Sequence, residues 1–164
     1  MELNVKFKHT TGGLKTPKVE EGSLINIYAS EEVIIGPAES KFVKTNTVLE
    51  VPEGYVLMIT PPPAMTENVP IRFANSVVFI ESGNKEELSI LLENVTPVGA
   101  RKNLAPEFTH LDGEKVTNNY SKGYLPIGTV VVRKNDIIGK AFLLKVESFA
   151  ISRTTKKVTE NEKE

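Results

Sequence analysis

Short stretches of alternating apolar and polar residues recur along the chain and set its expected secondary structure. In the segment LNVKFK, Leu3, Val5 and Phe7 would share one face of a strand that has one side in water. Other β-rich runs lie at residues 25–28, 33–35, 41–51, 54–59, 71–73, 77–80, 88–92, 128–132 and 141–151. Glycine, proline and asparagine separate them at short intervals. The pattern predicts an all-β sandwich or small barrel.

Two stretches are harder to assign. The segment NKEELSILLENV, residues 84–95, has weak helical character but serves equally well as a buried strand after a Gly-Asn turn, and we favour the strand. The segment MITPPPAM, residues 58–65, ends a strand in three prolines. Because proline lacks a backbone N–H and has a fixed φ, we expect a stiff surface elbow there, with no helix.

The organisation predicted is one domain with two distinctive segments. Residues 1–152 form the domain, since 164 residues suffice for one hydrophobic core. Residues 95–126 are rich in Pro, Gly and Asn with scattered aromatics, which is typical of an insertion that carries function. Residues 153–164 are charged and nearly without apolar side chains, so we expect a flexible tail.

Composition narrows the possible functions. The chain has no Cys, no signal-peptide pattern and no apolar run of the length that a membrane helix needs, so we expect a cytoplasmic protein with no membrane partner. A formal charge of −1 gives no net field for duplex nucleic acid. Its two histidines, His9 and His110, stand in unrelated surroundings, and no metal site or catalytic triad is predicted.

The order of several segments resembles the trimeric all-β dUTPases. Residues 26–29 (NIYA) resemble the end of that family's Gly-Tyr-Asp-Leu-Tyr-Ala motif, and residues 51–55 (VPEGY) its Ile-Pro-x-Gly-Tyr turn. Residues 61–66 (PPPAMT) fall on its Pro-Arg-Ser-Gly-Leu-Ala loop, and residues 78–88 and 134–140 on two later motifs. The resemblance spans Val5 to about Val146 and implies a jelly-roll or distorted β-barrel subunit in a homotrimer or higher homo-oligomer.

The same resemblance implies altered chemistry at the motif positions. Glu81 stands where the family has the aspartate that orients the attacking water, and the longer side chain would displace that carboxylate. Asn84 and Lys85 stand for the family's tyrosine and arginine, and Asn26 for the first motif's aspartate. The prolines at 62 and 63 replace an arginine and a serine that handle phosphates. We therefore expect no triphosphate hydrolysis of the family's kind; Glu81 is the candidate catalytic residue if the chain is active.

A rebuilt nucleotide site would draw on the motif positions and on the insertion. The aromatic rings could stack on a base, the basic residues could meet a phosphate, and His110 could contact a ligand. The predicted ligand-binding residues are Asn26, Glu81, Asn84, Lys85, Arg101, Lys102, Phe108, His110, Tyr120 and Tyr124.

Three functions follow as hypotheses. The first is an inactive dUTPase-like protein that sequesters a nucleotide or nucleotide-derived signal at subunit interfaces, as a phage anti-defence sponge would. A sponge needs affinity and no turnover. The second is a structural or protein-interaction trimer without a small ligand. The third is a divergent nucleotide pyrophosphatase. No cofactor is expected, except that the third hypothesis, a nucleotide pyrophosphatase, would require magnesium.

Overall fold

A computed structural model describes residues 4–19, 24–117 and 123–152. Within these ranges almost all of the regular secondary structure is strand. The strands are β1 (Lys6–His9), β2 (Ile25–Tyr28), β3 (Val33–Ile35), β4 (Ser40–Glu50), β5 (Tyr55–Thr60), β6 (Ile71–Phe73), β7 (Val78–Glu81), β8 (Glu87–Asn94), β9 (Leu104–Ala105), β10 (Glu107–His110), β11 (Lys115–Thr117), β12 (Leu125–Pro126), β13 (Val130–Val132) and β14 (Ile137–Lys145). One α-helix, α1 (Pro63–Asn68), and one 3-10 turn (Val98–Lys102) accompany them.

The strands form three four-stranded sheets and one two-stranded ribbon. The sheet orders are β1-β4-β8-β6, β11-β10-β13-β3 and β2-β14-β5-β7, and β12 pairs with β9. Neighbours are antiparallel except β10 and β13, which run parallel. This confirms the predicted all-β class. It is the jelly-roll arrangement that the resemblance to the all-β dUTPases implied.

The core follows from alternation along the strands. In β8, every second residue from Leu88 to Asn94 is buried, while the residues between are half-buried. This confirms the strand prediction for the ambiguous segment NKEELSILLENV. In β13, all three valines from Val130 to Val132 are buried, because the short strand lies between β10 and β3 inside the fold.

The proline segment differs from the prediction. The expected elbow is the start of α1, with Pro62 as the N-cap and Pro63 at the first helical position. Proline suits that position, because its φ is already close to helical and the N–H it lacks would have no partner within the helix. Met65 is buried and fixes the helix to the core. The prediction of no helix here was wrong because it considered only the loss of strand pairing.

The last strand also has different bounds. We predicted a strand over residues 141–151, whereas β14 begins at Ile137 and ends at Lys145. Residues 146–152 form no strand, and Phe149 and Ile151 are 83% and 92% exposed. The predicted tail at 153–164 lies outside the described residues.

The distinctive segment at 95–126 contains its own short strands in its described parts. Its strands β10 and β11 belong to a main sheet, whereas β9 and β12 form the two-stranded ribbon. No helix in the described part of the chain has the length and apolar character needed to span a membrane.

Candidate functional site

A cavity of about 410 Å³ lies at the end of β5, between the start of α1 and the turn that leads into β14. Its charged lining residues are Lys15, Asp112, Arg133, Asp136 and Lys140, and Pro62 lies in one wall. The sheet register explains this arrangement. Thr60, the last residue of β5, pairs with Lys140 of β14, so the chain enters the prolines directly beside that lysine.

The start of α1 forms one wall of this cavity and offers few backbone donors. Residues 61–63 are prolines and carry no N–H. Ala64 therefore carries the first backbone N–H of the segment, and the next, that of Met65, donates to the Pro62 carbonyl at 3.0 Å. The wall accordingly presents mainly apolar ring atoms to the cavity, where other helix starts present several N–H groups.

Arg133 is the charged hub of the opposite wall. Its guanidinium donates to Asp112 at 2.6 Å, to Glu114 at 3.0 Å and to Asp136 at 3.1 Å. Asp136 also accepts the Arg133 backbone N–H at 2.8 Å. These bonds join the β10–β11 hairpin to the turn before β14 and occupy all three nitrogens of the guanidinium.

The ion pairs have the expected effect on the charged groups. The pKa of Asp112 lies below its usual value, chiefly because the Glu114 backbone N–H donates to the carboxylate; burial opposes this shift, and Arg133 adds to it. Burial lowers the pKa of Arg133, but its bonds to Asp112 and Asp136 outweigh that cost and raise it. The charged groups of the hub are thus paired with one another, Arg133 with all three carboxylates.

Two lysines complete the positive side of the cavity. The Lys15 ammonium lies 4.8 Å from the centre of the Tyr28 ring, in cation–π contact. Lys140 lies on β14, opposite Thr60. With Arg133, the lining has three cations and two carboxylates, Asp112 and Asp136. Glu114, which lies outside the lining, is the third carboxylate bonded to Arg133, so the charges of the group balance.

Glu81 lies in a different place. It ends β7 and pairs with Val56 near the start of β5, whereas the first cavity adjoins Thr60 at the end of β5. Thr60 lies four residues after Val56, so the two are roughly 13 Å apart along the strand. Glu81 instead lines a second cavity of about 590 Å³, together with Glu53, Tyr55, Phe79 and Ser82.

The other predicted motif residues are spread between these two places. Asn26 is buried on β2 and pairs with Lys140 in the sheet. Asn84 closes the β7–β8 turn, since its side chain bonds the backbone of Glu86 in both directions. Lys85 is exposed on that turn. Asn26 therefore lies near the first cavity, and Asn84 and Lys85 lie near Glu81.

The basic residues predicted in the insertion lie apart from both cavities. Arg101 donates to the carbonyls of Pro37 and Ala38, at 2.7 and 3.1 Å, and so holds the turn before β4. Lys102 is exposed at the end of the 3-10 turn. The structure brings neither into contact with the motif positions, and their ligand roles stay predictions.

The aromatic residues of the insertion are divided between core and surface. Phe108 and His110 are both buried on β10, in edge-to-face contact at 5.1 Å. The Nδ1 atom of His110 is 2.8 Å from the Val131 carbonyl oxygen. Stacking of Phe108 on a base would require its ring to leave this packing. Tyr124 is exposed, and Tyr120 lies outside the described residues.

Sequence reasoning did not select Lys15, Asp112 or Asp136 as site residues. A partial signal for the hub was present: Asp136 follows Arg133 by three residues in a turn, and Asp112 precedes Gly113 in another. The pairing of β10 with β13 brings these two turns together. That contact is long-range and has no signature in the sequence.

A resident metal ion does not fit the described residues. Within residues 4–19, 24–117 and 123–152 there is no group of three or more His, Asp or Glu side chains placed to hold one. Both carboxylates of the first cavity are already bonded to Arg133. We assign no step to a protein-bound metal.

Comparison with known proteins points to one family. No model of a known protein family matches the chain. An SPbeta prophage-derived deoxyuridine 5′-triphosphate nucleotidohydrolase of Bacillus subtilis is 29% identical over 52% of this chain and 59% of its own length. The corresponding Mycobacterium marinum enzyme is 27% identical over 44% of this chain and 47% of its own. The chain thus spans about half the length of these curated relatives.

Solved structures of phage dUTPases share the fold. A mutant dUTPase from phage phi11 of S. aureus, described with a structural Mg(II) ion, superposes with a TM-score of 0.84 over 93% of this chain and 97% of its own, at 17% identity. The Staphylococcus bacteriophage 80alpha dUTPase with the analogue dUpNHpp gives a TM-score of 0.84 over 97% and 92%, also at 17% identity. The chain therefore has the fold of the phage dUTPases, and about half of its sequence is similar to dUTP hydrolases.

Proposed function

We propose that copies of this chain assemble into a homotrimer that binds a nucleotide between subunits and holds it intact. The observation that carries the proposal is the start of α1. Pro62 and Pro63 line the cavity where, by resemblance, an arginine and a serine that handle phosphates would stand. Such a site retains affinity for an anion while it lacks the donors that stabilise charge developing in a transition state.

The charge distribution supports binding of a polyanionic ligand at the first cavity. Arg133 is held by three carboxylates and contributes structure more than free charge. Lys140 and Lys15, which contacts the Tyr28 ring, add two ammonium groups to the lining. Two lysines make point-charge contacts with a phosphate, without the bidentate geometry of a free arginine.

The distance between Glu81 and this cavity supports a site shared between subunits. In one chain they lie at opposite ends of β5, so the two sets of motif residues meet only if different copies supply them. Relatives bear names of dUTP hydrolases, and one similar structure holds a nucleotide analogue. A nucleotide is therefore the ligand class we propose, sequestered in the manner of a phage anti-defence sponge.

Two measurements test this proposal: release of pyrophosphate from dUTP, and binding of nucleoside triphosphates. Protein mixed with dUTP and magnesium should release no pyrophosphate above the protein-free rate. In EDTA, calorimetric titration with nucleoside triphosphates should show binding, and Lys140→Gln should weaken it about tenfold through loss of one charged contact.

Lys145→Gln is the matched control, because Lys145 is exposed on the same strand but does not line the cavity. It should bind as the unaltered protein does. Pyrophosphate release that is abolished by Glu81→Gln would contradict the proposal and establish the divergent pyrophosphatase instead.

A protein-interaction trimer is the second candidate, and one observation favours it. Phe149 and Ile151 are the most exposed large apolar residues of the described chain and stand two residues apart after β14, as on one face of an extended segment. If no nucleotide binds and a partner protein co-purifies in a way that depends on these two residues, this candidate replaces the first.

A further inference from the structure

The cavity beside Glu81 has a lining unlike that of the first cavity. Two carboxylates, Glu53 and Glu81, and two aromatic rings, Tyr55 and Phe79, line it, and its lining includes no Lys, Arg or His. Neither carboxylate has an ion-pair partner within the described ranges. A phosphate would be repelled here, so this cavity suits the uncharged end of a nucleotide.

The strand geometry places an aromatic ring and a carboxylate side by side. Phe79 and Glu81 are two residues apart on β7 and therefore point to the same face of the sheet. Phe79 is 56% exposed, which leaves its ring face accessible. An exposed ring of this kind is a stacking surface for a base, because every base has a π face that can lie on an aromatic side chain.

Backbone hydrogen bonds hold the walls of the cavity in place. The Val146 N–H donates to the Gly54 carbonyl at 2.8 Å, and the Tyr55 N–H donates to the Pro52 carbonyl at 3.2 Å. The Asn84 N–H donates to the Glu81 carbonyl at 3.3 Å. Glu81 is therefore presented from a closed turn.

We infer that Glu81 selects nucleotides whose base carries an exocyclic amino group, and that it disfavours uracil and thymine. An ionised carboxylate only accepts hydrogen bonds. The amino group at position 4 of cytosine donates to it, as Glu and Asp accept from cytosine in DNA recognition. Uracil has a carbonyl oxygen, an acceptor, at the same position, and its N3–H donor lies between two carbonyl oxygens, so a carboxylate that approaches this edge meets a repelling oxygen on each side of that donor. This inference rests on the proposed function, since it names the base for the nucleotide proposed above.

The test compares dCTP with dUTP, which differ only in the groups at positions 3 and 4 of the base. Titration in EDTA at pH 8 should show dCTP binding about tenfold more tightly than dUTP. Glu81→Gln should bring the two affinities to within about threefold, because an amide both donates and accepts. The matched control is Glu86→Gln, on the same hairpin but outside the cavity lining, and it should keep the preference.

The possible failures are distinguishable. Equal binding of dCTP and dUTP by the unaltered protein, or a preference that survives Glu81→Gln, overturns this inference alone and leaves nucleotide binding standing. If no nucleoside triphosphate binds, the proposed function fails and this inference fails with it. Circular dichroism and melting of each variant confirm that a lost preference reflects the side chain and not unfolding.

Discussion

Asn94→Leu is expected to lower the free energy of unfolding by about 3–5 kcal/mol, the largest effect we predict for a single substitution. Asn94 is fully buried at the end of β8. Its amide nitrogen donates to the carbonyls of Ile35 and Gly128, at 3.0 and 2.8 Å, and its Oδ1 accepts the Thr96 N–H at 3.0 Å. One fully buried side chain thus connects β3, the turn at Gly128 and the segment that follows β8.

Leucine has the same number and branching of heavy side-chain atoms as asparagine, so the substitution removes the hydrogen bonds without leaving a cavity. Urea denaturation at one fixed protein concentration measures the change, since the stability of an oligomer depends on concentration. Asn75→Leu is the control, because Asn75 is exposed in a turn, and it should change stability by less than about 0.5 kcal/mol. Equal, small effects of both substitutions would show that Asn94 does not hold the fold together.

Gly139→Ala is expected to lower the free energy of unfolding by about 2–3 kcal/mol, because the added methyl group overpacks the core. Gly139 lies at the register shift of β14, where β2 and β5 pack closely around it. A Cβ atom there would stand 2.8 Å from Ile59 Cγ2 and 3.2 Å from Ile90 Cδ1. Both isoleucines are fully buried, so neither can move without opening the core.

Gly99→Ala is the matched control for this substitution. Gly99 lies in the 3-10 turn with nothing within 4 Å of its added Cβ and with no left-handed backbone conformation. We expect its melting temperature to equal that of the unaltered protein or to exceed it slightly, since alanine restricts the unfolded chain more than glycine does. If the Gly139→Ala protein has the same melting temperature as the control, the backbone at the register shift of β14 adapts to a side chain and the prediction is wrong.

Much of the fold was accessible from local pattern. The run INIY gave β2 with its observed bounds, because alternation and flanking polar residues suffice for a short buried strand. Helix α1 was not predicted, since a proline run signals both the end of a strand and the first turn of a helix. Only the burial of Met65 in the tertiary structure decides between these outcomes.

The candidate site was less accessible than the fold. Motif order led to Glu81 and to the prolines, but it gave no indication that they lie at opposite ends of β5. The hub around Arg133 depends on the parallel pairing of β10 with β13, a contact between residues about twenty positions apart. Such contacts follow from packing of the whole chain, and neither spacing nor composition encodes them.

We propose that several copies of this chain jointly hold an intact nucleotide. Native mass spectrometry of the purified protein, and of the same protein after incubation with dCTP and dUTP in EDTA, tests that claim directly. The chain mass of 18.1 kDa predicts a trimer of about 54 kDa, with up to three intact nucleotides bound to the trimer and none to the monomer. A monomer alone, or a trimer that takes up no nucleotide at concentrations well above micromolar, would contradict it.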